Sequence, residues 1–447
     1  MKIKVDIGIA NVCKSGEEVC GDTTQVIEGK DSTTVILSDG LGSGIKASIL
    51  SILSTQIASR MLRKNVDLKE VFLTIADTLP ICKKRGIAYS TLSILKVNTD
   101  GQAHLIEYDN PSMILIRNNE MVSVKKIKRK IADKEVYEAF FELKLGDLLM
   151  MISDGVINAG VGGLFKLGLG RNRLLKNIFD RRISTQSVDE AARKIIGLTE
   201  ACYLGKPGDD STAVAVKPRK ARSAVILTGP PAEKDIDEIV VKRFADYNNH
   251  TRIVCGGATG NMVARELGKE IETSMDYIDP SVPPAAVIEG VDLVTEGILT
   301  LNKCLGKLER VLSGANSYQT MRNTGNVKKF QTQLYSDTAA TAGYFKDNVT
   351  NHAVYMDDVP NDAGDIKEDI TGTAGKVKDN ADSTDGATTL FRHILNSDSI
   401  TILMGTAVNP AHEELMESLQ LKPRPKVVGK MVNILRKHGK EVNIESF

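Results

Sequence analysis

Apolar and polar positions alternate in short runs through the first half of the chain, and this pattern predicts strands. Apolar residues at helical spacing predict helices over 46–62, 68–79 and 188–202. Strands follow one another with few helices between them, so we expect an α+β fold over residues 1–218, with a β-sandwich flanked by helices. The predicted strands cover 2–10, 23–28, 33–37, 90–97, 103–108, 113–117, 148–152 and 211–216.

The pattern changes after a run of charged residues at 217–222. Strands and helices then alternate, which predicts a second, α/β domain with a mostly parallel sheet over residues 222–447. Its predicted strands are 223–227, 251–255, 287–293, 400–404 and 441–444, and its predicted helices are 235–247, 261–272 and 426–438.

A polar segment interrupts the second pattern at residues 313–384. It is rich in Asn, Asp, Thr, Gly and Ala and holds few large apolar residues. Such a composition buries little area per residue. We therefore predict an insertion into the second domain here.

The overall composition excludes several classes of protein. Of 447 residues, 42% are hydrophobic, and the formal net charge is only +1. A balanced charge argues against a strongly basic nucleic-acid binder. No apolar run reaches the ~18 residues of a membrane-spanning helix, and the first ten residues lack the apolar core of a signal peptide. We therefore expect a cytoplasmic protein with neither nucleic acid nor membrane as a partner.

The six cysteines and six histidines are scattered along the chain. They form no CxxC pair and no group with zinc-site spacing. This distribution favours free thiols in a reducing compartment. We expect any metal site to be built from carboxylates.

Four acidic points of the first half each adjoin a small residue at a predicted strand end. A single Asp-Gly is also a common turn dipeptide, but the repetition is informative. Strand ends can bring distant positions to one edge of a sandwich, and carboxylates without His or Cys suit Mg²⁺ or Mn²⁺. The four points are Gly21-Asp22, Ser38-Asp39-Gly40, Ser153-Asp154-Gly155 and Gly208-Asp209-Asp210.

These motifs carry a family resemblance. Residues 1–218 resemble the metal-dependent protein phosphatases of the type 2C class, in the bacterial branch of the stage II sporulation protein E phosphatase domain. The resemblance implies hydrolysis of phosphoserine and phosphothreonine by a water that two Mn²⁺ or Mg²⁺ ions activate. The carrying segments are Gly21-Asp22, VILSDGLGSGIKAS (35–48), MISDGV (151–156) and GDDSTAVAV (208–216).

The resemblance also implies roles for individual residues. Asp39 would bridge both metal ions, and the carbonyl of Gly40 would complete one coordination shell. Asp154 and Asp209 would hold the second ion, and Asp22 would act at or just behind the metals. The implied catalytic residues are Asp39, Asp154 and Asp209.

One departure from the family concerns the substrate phosphate. Many type 2C enzymes hold it with an arginine near the N-terminus, whereas the first arginine of this chain is Arg60. Lys14 is the nearest cationic substitute, and we take it as the candidate phosphate contact.

A glycine-rich turn in the second half follows a predicted strand and precedes a helix. Backbone N–H groups at such a turn can bind an anion. The alternative is a tight turn that only packs a helix on the sheet. The candidate anion loop comprises Gly256, Gly257, Thr259, Gly260 and Asn261.

Two functional hypotheses follow. The first is a metal-dependent protein serine/threonine phosphatase with a C-terminal regulatory or ligand-binding domain. Its substrate would be a phosphoprotein, by family analogy one resembling an anti-sigma-factor antagonist. The alternative is a low-activity signalling scaffold with a phosphatase fold and a metabolite-sensing C-terminal domain. Convergence of the four acidic points would favour the enzyme.

Overall fold

The computed structural model describes residues 2–78, 90–131, 134–273, 286–313, 385–407 and 421–447. These residues all belong to one compact unit. The division into domains at 218 and 222 therefore stays a prediction, and the predicted insertion lies outside the described residues apart from its first residue, Ser313.

Two antiparallel sheets make up the N-terminal half. The first has five strands in the order β1-β11-β10-β6-β7, and the second has six in the order β2-β3-β4-β5-β9-β8. The strands of the first are β1 (Ile3–Val12), β6 (Ile114–Arg117), β7 (Glu120–Val122), β10 (Leu148–Ile152) and β11 (Ser211–Lys220). Those of the second are β2 (Asp22–Glu28), β3 (Ser32–Asp39), β4 (Leu92–Asn98), β5 (Gln102–Tyr108), β8 (Ile127–Ile131) and β9 (Lys134–Glu142).

The main core of this half lies between the two sheets. Val35 and Leu95 of the six-stranded sheet share one apolar cluster with Leu149 and Val214 of the five-stranded sheet. Helices cover both outer faces, so the predicted sandwich flanked by helices is confirmed. The helices are α1 (Gly44–Leu62) and α2 (Leu68–Thr78) on the six-stranded sheet, with α3 (Asp154–Ile157), α4 (Gly170–Asp180) and α5 (Val188–Cys202) on the other.

Helix α1 forms where the apolar spacing predicts it, but with an unexpected face toward the sheet. Ile45 and Ile49 are 65% and 58% exposed, whereas Ala47, Ser51 and Thr55 are buried. Small side chains bring the helix close to β2 and β3, and the hydroxyls of Thr23 and Ser51 hydrogen-bond at 2.7 Å. The apolar periodicity thus predicted the helix correctly without indicating which side is buried.

A single seven-stranded sheet makes up the C-terminal half, in the order β14-β15-β16-β13-β12-β17-β18. Five neighbouring strands, from β16 to β18 in that order, run parallel, and β14 and β15 are antiparallel. The strands are β12 (Ser223–Thr228), β13 (Thr251–Cys255), β14 (Ile271–Thr273), β15 (Ala286–Ile288), β16 (Leu293–Thr295), β17 (Ser399–Met404) and β18 (Glu441–Ser446).

Five α-helices accompany this sheet in the part of the chain that the structure describes, and two differences from the sequence analysis concern glycine. The predicted helix 261–272 starts earlier and ends at Gly268, whose φ of 62° stops it. The predicted strand 287–293 is two short strands, with Gly290 (φ 86°) between them. The helices are α6 (Asp237–Ala245), α7 (Gly257–Leu267), α8 (Ile298–Ser313), α9 (Gly386–Asn396) and α10 (Arg424–Lys437).

A charged junction links the two halves. Strand β11 continues to Lys220, so part of the predicted charged connector is strand. The guanidinium of Arg219 contacts Asp6 at 2.7 Å and Asp398 at 2.6 and 3.0 Å. Asp398 also accepts the backbone N–H of Arg222 at 2.7 Å. Among the described residues, no helix is both long enough and apolar enough to span a membrane.

Candidate functional site

The acidic residues singled out from the sequence lie at the ends of strands from both N-terminal sheets. Asp22 begins β2 and Asp39 ends β3, and the two are directly paired in register. Asp154 follows β10, and Asp209 precedes β11, the antiparallel neighbour of β10. The strand topology thus places carboxylates that are far apart in the chain near enough for their charges to interact.

Burial and proximity disfavour the ionised forms of these carboxyl groups. Burial, reinforced by the charges of Asp22, Asp154 and Asp209, raises the pKa of Asp39 to about 9. Burial likewise raises the pKa of Asp22 to about 7. The pKa values of Asp154 and Asp209 are also raised, chiefly by burial. The protein supplies too little positive charge here for four ionised carboxylates.

Several carboxylate oxygens at this edge are buried without a partner. Neither oxygen of Asp22 has a hydrogen-bond partner within 3.5 Å, and neither does Oδ1 of Asp154. The hydroxyls of Thr212 and Ser153 lie near Asp22 and only partly offset the rise in its pKa that burial causes. The other oxygen of Asp154 accepts a bond from the side-chain amide of Asn158 at 3.3 Å. Buried carboxylates are normally paired or coordinate a metal. The donor set, all oxygen and all acidic, fits hard divalent cations such as Mg²⁺ and Mn²⁺.

Hydrogen bonds fix the strand end that presents Asp39. The backbone N–H of Asp39 donates to the hydroxyl of Thr91 at 3.0 Å, and the N–H of Thr91 donates to the carbonyl of Asp39 at 2.8 Å. Ser38 adds a hydroxyl bond to the carbonyl of Thr91 at 2.7 Å. The position of the Asp39 backbone is therefore set by the neighbouring chain.

A reciprocal pair of hydrogen bonds likewise fixes the chain just before Asp154. The N–H of Ser153 donates to the carbonyl of Thr212 at 3.0 Å, and the N–H of Thr212 donates to the hydroxyl of Ser153 at 2.8 Å. Ser153 directly precedes Asp154, and Thr212 lies three residues after Asp209. This reciprocal pair keeps the ends of β10 and β11 in register beside the acidic groups.

Glycines at this edge allow close approaches that any side chain would prevent. A Cβ at Gly40 would lie 1.9 Å from the carbonyl oxygen of Ala47 in α1, and one at Gly155 would lie 2.0 Å from that of Asp210. The N–H of Gly40 donates to the carbonyl of Gly21 at 3.2 Å. Gly40 and Gly155 therefore permit the packing that brings the acidic residues together.

Lys14 lies close enough to Asp209 for its charge to act on that carboxyl group, and its role as a phosphate contact stays a prediction. Its charge partly offsets the rise in the pKa of Asp209, which burial dominates. Its backbone N–H donates to Oδ1 of Asp210 at 2.9 Å. Asp210 therefore anchors the segment carrying Lys14, a role that the sequence did not indicate.

The sequence analysis missed a group containing two cysteines. The thiols of Cys13 and Cys20 and a carboxylate oxygen of Asp210 all lie within 4.8 Å of one another. Cys13 follows β1, which pairs with β11, and Cys20 lies just before Asp22. The only signal in the sequence is that both cysteines flank predicted strand ends near the acidic points.

The candidate anion loop lies at the start of α7, in the C-terminal half. Gly257 and Asn261 are exposed, whereas Thr259 and Gly260 are buried. The hydroxyl oxygen of Thr259 accepts the N–H of Gly229 at 3.0 Å. The structure thus joins this loop to a neighbouring turn, and its binding of an anion stays a prediction.

Comparisons with known proteins concern the N-terminal half. Residues 29–219 match the family model of stage II sporulation protein E (SpoIIE). Stage II sporulation protein E of Bacillus subtilis (strain 168) is 26% identical over 221 residues, which are 48% of this chain and 26% of that protein. The chain thus matches about a quarter of the length of this curated relative.

Solved structures with a similar fold include phosphatase domains. The PP2C phosphatase domain of SpoIIE from Bacillus subtilis, solved with a fragment of its regulatory domain, is 23% identical. The match covers 48% of this chain and 64% of that SpoIIE chain, with a TM-score of 0.42. RsbX in complex with magnesium is 18% identical, and the match covers 48% of this chain and the whole RsbX chain, with a TM-score of 0.36.

The family resemblance inferred from the motifs is confirmed for about half of the chain. That half consists of two antiparallel sheets with helices on both outer faces.

Proposed function

Because the N-terminal half resembles the SpoIIE phosphatase domain, we propose that this chain is a metal-dependent protein serine/threonine phosphatase. The observation that carries the proposal is the set of buried, unpartnered carboxylate oxygens of Asp22 and Asp154 beside Asp39. Such a set is unfavourable without a cation and well suited to holding two. A structural role alone would not require four acidic groups, one buried and three half-buried, to lie together.

We assign the metal ligands to Asp22, Asp39, Gly40 (through its carbonyl), Asp154 and Asp209. When bound, two Mn²⁺ or Mg²⁺ ions would supply a water of lowered pKa and would offset negative charge on the phosphoryl group. The carboxylates must be ionised to bind them, and their raised pKa values make that binding pH-dependent.

The protein's own groups would orient the reaction. Thr91 and Ser38 hold the backbone at Asp39, and Ser153 holds the chain before Asp154, so the ligands need little rearrangement on binding. The ammonium of Lys14, which lies close enough to Asp209 to affect its pKa, would attract the phosphate of the substrate. In this scheme Asp39, Asp154 and Asp209 are the catalytic residues.

The proposed substrate is a phosphoserine or phosphothreonine side chain of a cytoplasmic phosphoprotein. By family analogy it would resemble an anti-sigma-factor antagonist. The C-terminal half, with its parallel sheet, would regulate the phosphatase or bind a ligand.

Turnover of phosphopeptides by the purified full-length chain tests the proposal. Phosphoserine and phosphothreonine peptides are compared with a phosphotyrosine peptide, in Mn²⁺, in Mg²⁺ and in EDTA. We expect Mn²⁺-dependent turnover of the first two, reduced about 100-fold or more in Asp39→Asn. Asp180→Asn, which changes an exposed aspartate at the end of α4, is the matched control and should retain full turnover.

A folded, metal-loaded protein without turnover on any peptide would contradict the enzymatic proposal. The signalling-scaffold hypothesis would then be preferred. Retained turnover in Asp39→Asn would instead show that this edge is not the catalytic site.

A further inference from the structure

Cys13, Cys20 and Asp210 form a compact group beside the proposed metal centre. Their two sulfur atoms and one carboxylate oxygen are mutually within 4.8 Å. Cys13 and Cys20 lie at the two ends of the connection between β1 and β2, and Asp210 lies just before β11. None of them is among the ligands proposed for the phosphatase centre.

The spacing of these atoms is close to that of ligands around a tetrahedral zinc ion. Zinc–sulfur bonds of about 2.3 Å at tetrahedral angles place two sulfur atoms about 3.8 Å apart. Separations of at most 4.8 Å need a contraction of no more than about 1 Å to reach that value. Three protein ligands would leave one position of the ion for water.

The state of each ligand is compatible with binding. Both thiols are free and partly buried, and Asp210 is only 3% exposed. One oxygen of Asp210, Oδ1, accepts the N–H of Lys14 at 2.9 Å. The other, Oδ2, lies beside Gly21, where a Cβ would be 2.7 Å away. The glycine thus leaves room for this oxygen next to Cys20.

The chemistry of this group differs from that of the all-oxygen centre. Two thiolates and one carboxylate favour zinc or a similarly soft divalent ion, whereas Mg²⁺ takes oxygen ligands. We infer that Cys13, Cys20 and Asp210 form a separate zinc site. It lies beside the acidic edge, by which we mean the strand ends that carry Asp22, Asp39, Asp154 and Asp209. Zinc there would tie together three segments that carry or adjoin Lys14, Asp22 and Asp209.

Cobalt spectroscopy on the full-length chain tests this inference independently of phosphatase activity. Co²⁺ bound by thiolates gives an intense charge-transfer absorption, and Co²⁺ bound by carboxylates alone does not. With a phosphine reductant present, we expect the wild type to show this absorption and to lose it when Zn²⁺, but not excess Mg²⁺, is added.

Single substitutions locate the site. Cys13→Ser and Cys20→Ser should each reduce the absorption strongly, and Asp210→Asn should weaken zinc binding by about tenfold or more. The matched control is Cys255→Ala, because Cys255 is a buried thiol in the core of the C-terminal sheet. Its absorption should equal that of the wild type.

A second measurement needs no variant and so does not depend on how well the substituted proteins fold. Zn²⁺ should slow alkylation of Cys13 and Cys20 in the wild type, as read by peptide mapping, and Mg²⁺ should not. Absence of the thiolate band in the reduced wild type would overturn the inference. So would equal alkylation with and without Zn²⁺, or a Cys13–Cys20 disulfide that resists the reductant.

Discussion

Two strand-end regions of this molecule look alike in sequence and differ in structure. One is the acidic edge of the N-terminal half, and the other is formed by the C-terminal ends of the parallel strands in the second half. Both carry glycine beside small polar residues. In the C-terminal half, hydrogen bonds of 2.9–3.0 Å join the turns to one another. The N–H of Gly229 donates to the hydroxyl of Thr259. The N–H groups of Gly256 and Gly405 donate to the carbonyls of Thr295 and Thr228, respectively. At the acidic edge, carboxylate oxygens of Asp22 and Asp154 stay buried without partners.

The difference shows which feature points to a ligand. Glycine at a strand end permits close packing in both regions. Thr228 has a buried, unpartnered hydroxyl in the C-terminal half, but a neutral hydroxyl costs far less to leave unpaired than a carboxylate. Unbalanced buried charge therefore distinguishes the proposed metal centre.

The largest expected effect separates the two regions by activity. Asp39→Asn should reduce Mn²⁺-dependent phosphopeptide turnover about 100-fold or more, because it removes the proposed bridging ligand. Thr228→Val, at the C-terminal edge, should leave turnover near the wild-type value. Steady-state assays of both variants measure the contrast, and equal losses would remove the distinction between the regions.

A second pair of variants compares glycines at the two edges by stability. Gly40→Ala should lower the free energy of unfolding by more than about 3 kcal/mol, since its Cβ would overlap the backbone of Ala47. Gly257→Ala should be neutral or slightly stabilising, because no atom lies within 4 Å of the added carbon and the position is helical. Urea denaturation measures both; a tolerated Gly40→Ala would contradict the described contact with α1.

A substitution at the charged junction between the two halves should lower the free energy of unfolding by less than Gly40→Ala does. Asp398→Asn should cost about 2 kcal/mol, because Arg219 would lose a partly buried charged partner. Burial alone would raise the pKa of Asp398, but hydrogen bonds from Arg219 and the Arg222 backbone hold it below its ordinary value. The stabilisation is therefore present above pH 3.8 and is lost as the pH falls through the folded-state pKa. Urea denaturation at neutral and acidic pH checks this, and an unchanged neutral-pH stability would contradict it.

The metal-free protein should lose stability as the pH rises. The pKa values of Asp22 and Asp39 are raised from 3.8 to about 7 and about 9, so the folded state binds more protons than the unfolded state between these limits. Stability contributed by the protonated groups is full below pH 3.8 and declines toward pH 9. Melting curves in EDTA should show this decline, and Mn²⁺ should reverse it. A decline of the same size in Asp39→Asn would assign it to other groups.

The smallest expected effect concerns Lys14. Lys14→Met should raise the KM for phosphopeptide several-fold with a smaller change in kcat, because the lysine would act on the substrate phosphate before reaction. Lys206→Met, which changes an exposed lysine shortly before β11, is the control. A fall in kcat alone would argue against a binding role.

Local pattern predicted the strand ends of the acidic edge because those strands are buried. The run before Asp39 is almost wholly buried and the run before Asp154 is wholly apolar, and both strands lie at or near their predicted limits. By contrast, β8 was missed because four of its five residues are exposed. A strand without a buried face has no apolar signal.

Tertiary contacts decided what local pattern could not. The buried face of α1 consists of small residues such as Ala47, since the adjacent sheet edge admits no larger side chain at that distance. Asp210 comes next to Cys13 because β1 pairs with β11, and Cys20 joins them through the connection between β1 and β2. Neither arrangement follows from periodicity or spacing.

Anomalous scattering from crystals of the full-length chain grown with Mn²⁺ tests the central claim most directly. The account predicts two adjacent manganese peaks enclosed by Asp22, Asp39, Asp154 and Asp209. Crystals that diffract well and show no peak at this edge, or show peaks only elsewhere, would contradict it.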